Sequence, residues 1–141
     1  MDYAQFLDGI VHEPTQGEGR GFDLTVAAVS EIVEPGRVDF GGGELEAAGI
    51  ESHPTQQRDP GDEYGWWHLD AGQYLLEYNE SLTVDDLAVT LQPRAALLER
   101  GASHPALRVT ALPRVPLAVG GAGLRLKENA RVSTLVAAES A

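Results

Sequence analysis

The chain has 141 residues, 22 acidic against 10 basic side chains, a formal net charge of −12 and no cysteine. The acid excess argues against non-specific binding to nucleic acid or to an anionic membrane surface. The lack of cysteine excludes disulfides and thiolate metal sites, and no stretch approaches the roughly 20 apolar residues of a membrane-spanning helix.

Such a length suits one domain, 1-141, with its own core. Asp2 and Asp8 stand where a secretory leader carries positive charge, so a cytoplasmic location is expected. Lys127 is the only lysine. Acidity with so little lysine fits a protein working in high salt, where self-repulsion is screened, and equally an ordinary acidic cytosolic protein.

Tyr3, Phe6, Leu7 and Ile10 lie at helical spacing, so residues 3–11 read as a short helix or a lead-in strand that ends at Pro14 and Gly17-Glu18-Gly19-Arg20-Gly21. That glycine run lacks the Gly-Lys-Ser/Thr ending of a phosphate-binding loop and reads as a flexible connection. Residues 22–33, with Phe22, Leu24, Val26, Val29, Ile32 and Val33, predict a strand with an irregularity near Ala27-Ala28. Glu34-Pro35-Gly36-Arg37 carries Pro and Gly where a type II turn wants them. Val38-Asp39-Phe40 predicts a short strand, broken by Gly41-Gly42-Gly43, and 51–65 reads as a surface loop.

Order resumes at Trp66-Trp67-His68-Leu69-Asp70. Leu75, Tyr78 and Leu82, then Val84, Leu87, Val89 and Leu91, predict strands by their alternation. Leu91 to Gly101 reads as a strand end, a sharp turn at Pro93, and a short helical piece over 94–100. Pro113 and Pro116 make any strand in 107–119 short or peripheral. Leu124-Arg125-Leu126 and Val132 to Val136 are the last strand signals. Many short strands separated by turns predict an all-β barrel or sandwich.

Arg94 falls where a strand hands over to a helix start. Free backbone N–H groups there, with a permanently charged planar fork, suit a phosphate; a structural ion pair holding the corner is the alternative. His68 and Asp70 alternate as a weak cation-binding pair, more often a hydrogen-bonded surface feature. Trp66-Trp67 reads either as a stacking platform for a base or as a core anchor with one ring outside.

Gly21-Phe22-Asp23-Leu24, Leu69-Asp70-Ala71-Gly72-Gln73-Tyr74, Asn79-Glu80 with Leu82, Pro93-Arg94-Ala95-Ala96-Leu97 and Asn129-Ala130-Arg131-Val132-Ser133-Thr134-Leu135 occur in the order and spacing of motifs of the dCTP deaminase/dUTPase superfamily. The chain resembles that superfamily over 20-138. The resemblance implies a mainly β, distorted dUTPase-like β-barrel with one short helix after the central strand, and a homotrimer with ligand sites between subunits. It implies a deoxyribonucleoside triphosphate (dUTP or dCTP) as ligand, carrying Mg²⁺, with no metal ligated by the protein. Asp23 is then expected on the metal or sugar side, with Arg94, Ala95, Ala96, Arg100 and Arg131 at the phosphates.

The chain also departs from the family pattern. Ala95 and Ala96 replace serines, which keeps backbone donors and removes hydroxyls; each lost hydrogen bond to a charged group costs roughly 1.5–3 kcal/mol. Glu99 stands where the deaminase branch has an arginine, with Arg100 one residue later. Thr134 replaces a glutamine, and Asn129 replaces a glycine at a turn that Asn tolerates. No Asp or Glu occurs between Glu99 and Glu128, although the family's catalytic carboxylate comes from that segment. Glu99 and Glu128, from a neighbouring subunit, are the remaining candidates for the base. The expected activity is therefore a dUTP or dCTP hydrolase or deaminase with weakened motifs, the alternative a non-catalytic nucleotide-binding or structural relative.

Overall fold

A computed structural model describes residues 1–138. A 3₁₀ turn at Tyr3–Phe6 runs into β1 (Leu7–Asp8), so the N-terminal segment is both of its two readings in succession. Pro14 does not end a helix here. It sits in the first turn of α1 (Glu13–Gln16), where its missing N–H costs nothing.

Next come β2 (Phe22–Glu34), β3 (Gly49–Ser52), β4 (Trp66–Leu69), β5 (Gly72–Tyr78), β6 (Ser81–Leu82) and β7 (Val89–Pro93). Then follow α2 (Ala95–Leu98), β8 (Ala102–Ser103), β9 (Leu107–Val109), β10 (Val115–Val119), β11 (Leu124–Lys127) and β12 (Arg131–Ala137).

The main sheet runs β8-β10-β5-β2-β12-β7-β9, with β3 also on β2; β1 pairs β6 and β4 pairs β11. All of these pairings are antiparallel. The long β2 joins the two wings: its first residues pair with β12, the rest with β5 and β3. Its register shifts between Val26 and Ala28, the irregularity expected near Ala27-Ala28, and β12 shifts between Arg131 and Ser133. Such bulges bend strands and raise local twist, which curls this sheet into a mainly β half-barrel.

One face of every long strand is apolar. Phe22, Leu91 and Leu135 form one buried row across β2, β12 and β7, and Tyr74, Leu76 and Tyr78 with Val115, Leu117 and Val119 fill the other wing. On β5 the buried set is Tyr74, Leu76 and Tyr78 rather than Leu75, which points the other way; an apolar residue on each face hides which face is inside. Pro116 lies in the part of β10 that β8 does not reach, so its missing donor faces no strand there.

Two local expectations fail in the segment after β2. Gly36 does not have the positive φ that a type II turn needs, and the chain stays extended to an isolated bridge between Arg37 and Glu46. Among the described residues Val38-Asp39-Phe40 pairs with no strand and is not one itself, and Phe40 is fully exposed. Trp67 is in the core and donates from Nε1 to the His53 carbonyl, while Trp66 lies at the surface between Arg58 and Lys127. Among the described residues no helix is long and apolar enough to cross a membrane.

Candidate functional site

The row beside the buried Phe22–Leu135–Leu91 row is polar. Asp23 on β2, Thr134 on β12 and Gln92 on β7 are in register across three strands, and period-two alternation turns all three away from the core. They line an open cleft of about 630 Å³ with Glu18, Arg20, Pro93, Arg94 and Ala95. That is within the usual range for a small-molecule site.

Gly21 lets this corner close. A Cβ there would strike the Leu135 carbonyl oxygen, Val136 Cγ1 and Thr134 Cγ2, so only glycine brings the start of β2 this near β12.

Asp23 is the centre of the cleft, its side chain 13% exposed. Oδ1 accepts from Thr134 Oγ1 at 2.9 Å. Oδ2 accepts from Arg131 Nη1 at 3.1 Å and lies 3.4 Å from Arg94 Nε. One carboxylate therefore holds two guanidinium groups side by side, which their mutual repulsion would otherwise separate. Arg94 Nη1 also reaches the Arg131 carbonyl at 3.5 Å. The ion pair expected as an alternative role for Arg94 is thus present, and the same pair orients its fork toward the cleft.

Arg94 is the residue before α2, and its own N–H is taken by the Val132 carbonyl. Ala95 and Ala96 begin α2, and both are exposed. Glu99 and Arg100 leave the cleft at the far end of that helix. Their side chains are largely exposed and 3.6 Å apart, and Arg100 Nη1 donates to the Ala96 carbonyl at 3.0 Å. Glu128 sits in the turn after β11, where it accepts from Gly65 N–H at 3.1 Å. Of the eight residues expected at the site, Asp23, Arg94 and Ala95 line the cleft, Arg131 joins them through Asp23, and Ala96 adjoins on α2. Arg100, Glu99 and Glu128 do not line it within one copy of the chain.

Three residues of the site were not singled out from the sequence. Glu18 pairs with Arg131 Nη1 at 3.0 Å, Arg20 lies beside it, and Gln92 extends the polar row. The Gly17–Gly21 run, expected as a mere connection, forms one wall. Only the period-two position of Gln92 relative to the buried Leu91 gave a sequence signal.

Below the cleft lies a buried carboxylate. Glu80, 3% exposed, accepts from Gln16 Nε2 at 2.8 Å, Thr25 N–H at 2.9 Å and Thr25 Oγ1 at 2.6 Å. Gln16 Oε1 in turn accepts from the N–H groups of Val11 and His12, at 2.9 and 2.7 Å. Asn79 Nδ2 donates to Thr25 Oγ1 and to Asn129 Oδ1, each at 2.9 Å, and Asn129 has the positive φ of +65° expected of it. Glu80 thus holds α1, and the loop that follows it, against β2, while Asn79 ties β2 to the turn before β12.

A second polar cluster crosses the core. Ser133 Oγ is 2.6 Å from Tyr78 Oη and 2.7 Å from His104 Nε2, and His104 Nδ1 is 2.9 Å from the Pro105 carbonyl. A carbonyl only accepts, so Nδ1 carries the proton and Nε2 accepts from Ser133. Burial lowers the His104 pKa and pushes Tyr78 up to about 12. Ser133 is completely buried, so this Ser–His contact is a core link and not a nucleophile within reach of a dissolved substrate.

Among the described residues no group of three His, Asp or Glu side chains is placed to hold a metal. His68 and Asp70 gain no third ligand among those residues.

No family model matches the chain. It is 29% identical over 136 residues to a probable deoxyuridine 5'-triphosphate nucleotidohydrolase of Methanosarcina acetivorans, covering 92% of this chain and 76% of that protein. A protein of the same name from Methanococcoides burtonii is 33% identical over 103 residues, covering 69% of this chain and 54% of that one. The fold is similar to that of a 2'-deoxycytidine 5'-triphosphate deaminase from Agrobacterium tumefaciens, with a TM-score of 0.60 at 12% identity. That match takes in 94% of this chain, which spans 44% of the deaminase chain. The sequence likeness to probable dUTPases over most of the chain, together with the shared half-barrel fold, supports membership of the dCTP deaminase/dUTPase superfamily.

Proposed function

We propose that the Asp23 cleft binds the phosphates of dUTP or dCTP and that the protein is a hydrolase or deaminase of such a nucleotide. One observation carries this reading. Two half-buried arginines, one on β12 and one at the start of α2, are brought together only in the folded chain and clamped by Asp23 at an open cleft. Arginine forks recognise phosphate through paired N–H bonds. The exposed start of α2 puts Ala95 and Ala96 at the same wall. Asp23 oxygens are engaged by Arg131 and Thr134, so the donors present do not fit a protein-ligated metal. Mg²⁺ enters only as the ion carried by the triphosphate substrate.

A specific observation favours the second reading, a nucleotide-binding or structural relative without turnover. The carboxylates lining the cleft, Glu18 and Asp23, are both ion-paired, while β10, in the segment expected to supply a base, is core strand. A base role for Glu99 or Glu128 therefore requires a neighbouring subunit.

The reading includes a homotrimer. Support comes from the segment after β2, where Val38, Phe40 and Leu45 are exposed, an unusual cost in water for a monomer. The single apolar cluster that gathers residues from Leu7 to Leu135 supports one domain over 1-141.

The deciding experiment is product formation from dUTP and dCTP with Mg²⁺ at low and multimolar salt, following pyrophosphate and ammonia. Multiple turnovers with either product establish an enzyme and name its branch. Nucleotide binding without turnover establishes the second reading, and neither binding nor turnover by folded protein defeats both.

A further inference from the structure

Arg131 Nη1 faces three acceptors: the Thr15 carbonyl at 3.4 Å, Glu18 Oε1 at 3.0 Å and Asp23 Oδ2 at 3.1 Å. A guanidinium NH₂ has two hydrogens, so the three acceptors must share them and at least two compete for one. The Thr15 oxygen is backbone of α1, and Asp23 is fixed by Thr134 across the ladder. Glu18 is the acceptor free to leave, its side chain 62% exposed on the loop between α1 and β2.

The loop is built to let it move. Its ends are anchored: Gly17 N–H donates to the Glu13 carbonyl at 2.9 Å, and Gly21 is wedged against β12. Its middle is open, with nothing within 4 Å of where a Gly19 Cβ would stand.

Charge gives the reason for movement. Arg94 and Arg131 are cancelled by Asp23 and Glu18. Arg20 lines the same cleft and forms no ion pair among the described residues. A multiply charged phosphate meets a neutralised arginine pair, with only Arg20 in excess, while Glu18 is in place, and a more strongly positive cleft once Glu18 has gone.

We propose that Glu18 is a displaceable internal occupant of the anion cleft: an incoming phosphate group takes over Arg131, and the Gly17–Gly21 loop carries Glu18 out, leaving Arg20, Arg94 and Arg131 to face the ligand. The proposal rests on the reading of this cleft as a phosphate site. It adds a ligand-gated loop and a third phosphate-facing arginine.

The test compares wild type, Glu18→Gln and Glu18→Ala for binding of inorganic tripolyphosphate, dUTP and dCTP by calorimetry, with Arg131→Gln as control. Both Glu18 variants are expected to bind about two- to fivefold more tightly, because an exposed ion pair of this kind no longer competes. Amide resonances of Glu18 and Gly19 are expected to shift when wild type takes up tripolyphosphate. Equal or weaker binding by the Glu18 variants, with wild type binding and Arg131→Gln not, overturns the exchange and leaves the phosphate site standing. Absence of binding by wild type and variants alike, in protein of unchanged thermal midpoint, overturns the phosphate reading and the exchange with it.

Discussion

Glu80 and Gln16, 64 residues apart in the chain, meet at 2.8 Å in a nearly water-free pocket, and through Gln16 the Glu80 carboxylate reaches the base of the loop that carries Glu18. The contact is one of three hydrogen bonds that this carboxylate accepts, none from a cation. A buried charge held by neutral donors is costly to disturb, because its partners lose their acceptor together.

Glu80→Ala is therefore expected to destabilise the protein by about 3 kcal/mol, since Thr25 and Gln16 donors are left unpaired in the interior. Glu80→Gln, which keeps acceptors but adds a competing donor, is expected to cost roughly half as much. Urea titration reads both. An alanine variant within about 0.5 kcal/mol of wild type would mean that water satisfies the donors and that Glu80 does not hold α1 in place.

Arg94 and Arg131 share Asp23, so their substitutions should not be independent. Arg94→Gln and Arg131→Gln are each expected to weaken binding of dUTP or dCTP about ten- to hundredfold. The double variant is expected to lose less than the product of the two. Full additivity in a calorimetric cycle would show that the arginines act separately and that the Asp23 clamp is irrelevant to the ligand.

The Tyr78–Ser133–His104 chain sets a pH window for stability. A free histidine titrates near pH 6.5, and burial holds His104 lower. Between the two values the unfolded chain binds the extra proton, so this contribution is complete above about pH 6.5 and declines as pH falls toward the folded value. Tyr78, raised from 10.0 to about 12, behaves oppositely: the native state keeps its proton, and stability declines as pH rises from 10 toward 12. Denaturant midpoints measured across pH should show both limbs. Tyr78→Phe should flatten the alkaline limb and His104→Gln should reduce the acid one; unchanged limbs in these variants would assign the losses to other groups.

Phe40 stands fully exposed beside Val38 and near Leu45. If the chain assembles through this segment, Phe40→Ser shifts sedimentation from trimer toward monomer at micromolar protein without lowering monomer stability, because among the described residues of its own copy the side chain is fully exposed. A wild-type monomer at all concentrations would remove the homotrimer from the functional reading.

The strand-rich class, the strand–corner–helix at Pro93-Arg94, the bulge near Ala27 and the left-handed turn at Asn129 were legible in the chain itself. Each is a local matter, set by β-branched and apolar alternation, a fixed proline φ or the steric latitude of asparagine. Asp23, Arg94 and Arg131 could be named from motif order, yet nothing local to them tells that one carboxylate clamps both arginines. Asp23 and Arg131 are 108 residues apart and Glu18 and Arg131 are 113 apart. Their meeting depends on the β2–β12 register and on a glycine too small to keep the strands apart. The faces of β5, the burial of the carboxylate-free β10 and the exposure of Phe40 were likewise decided by what packs against what. Alternation gives the period of a strand, while only its neighbours choose which side is wet.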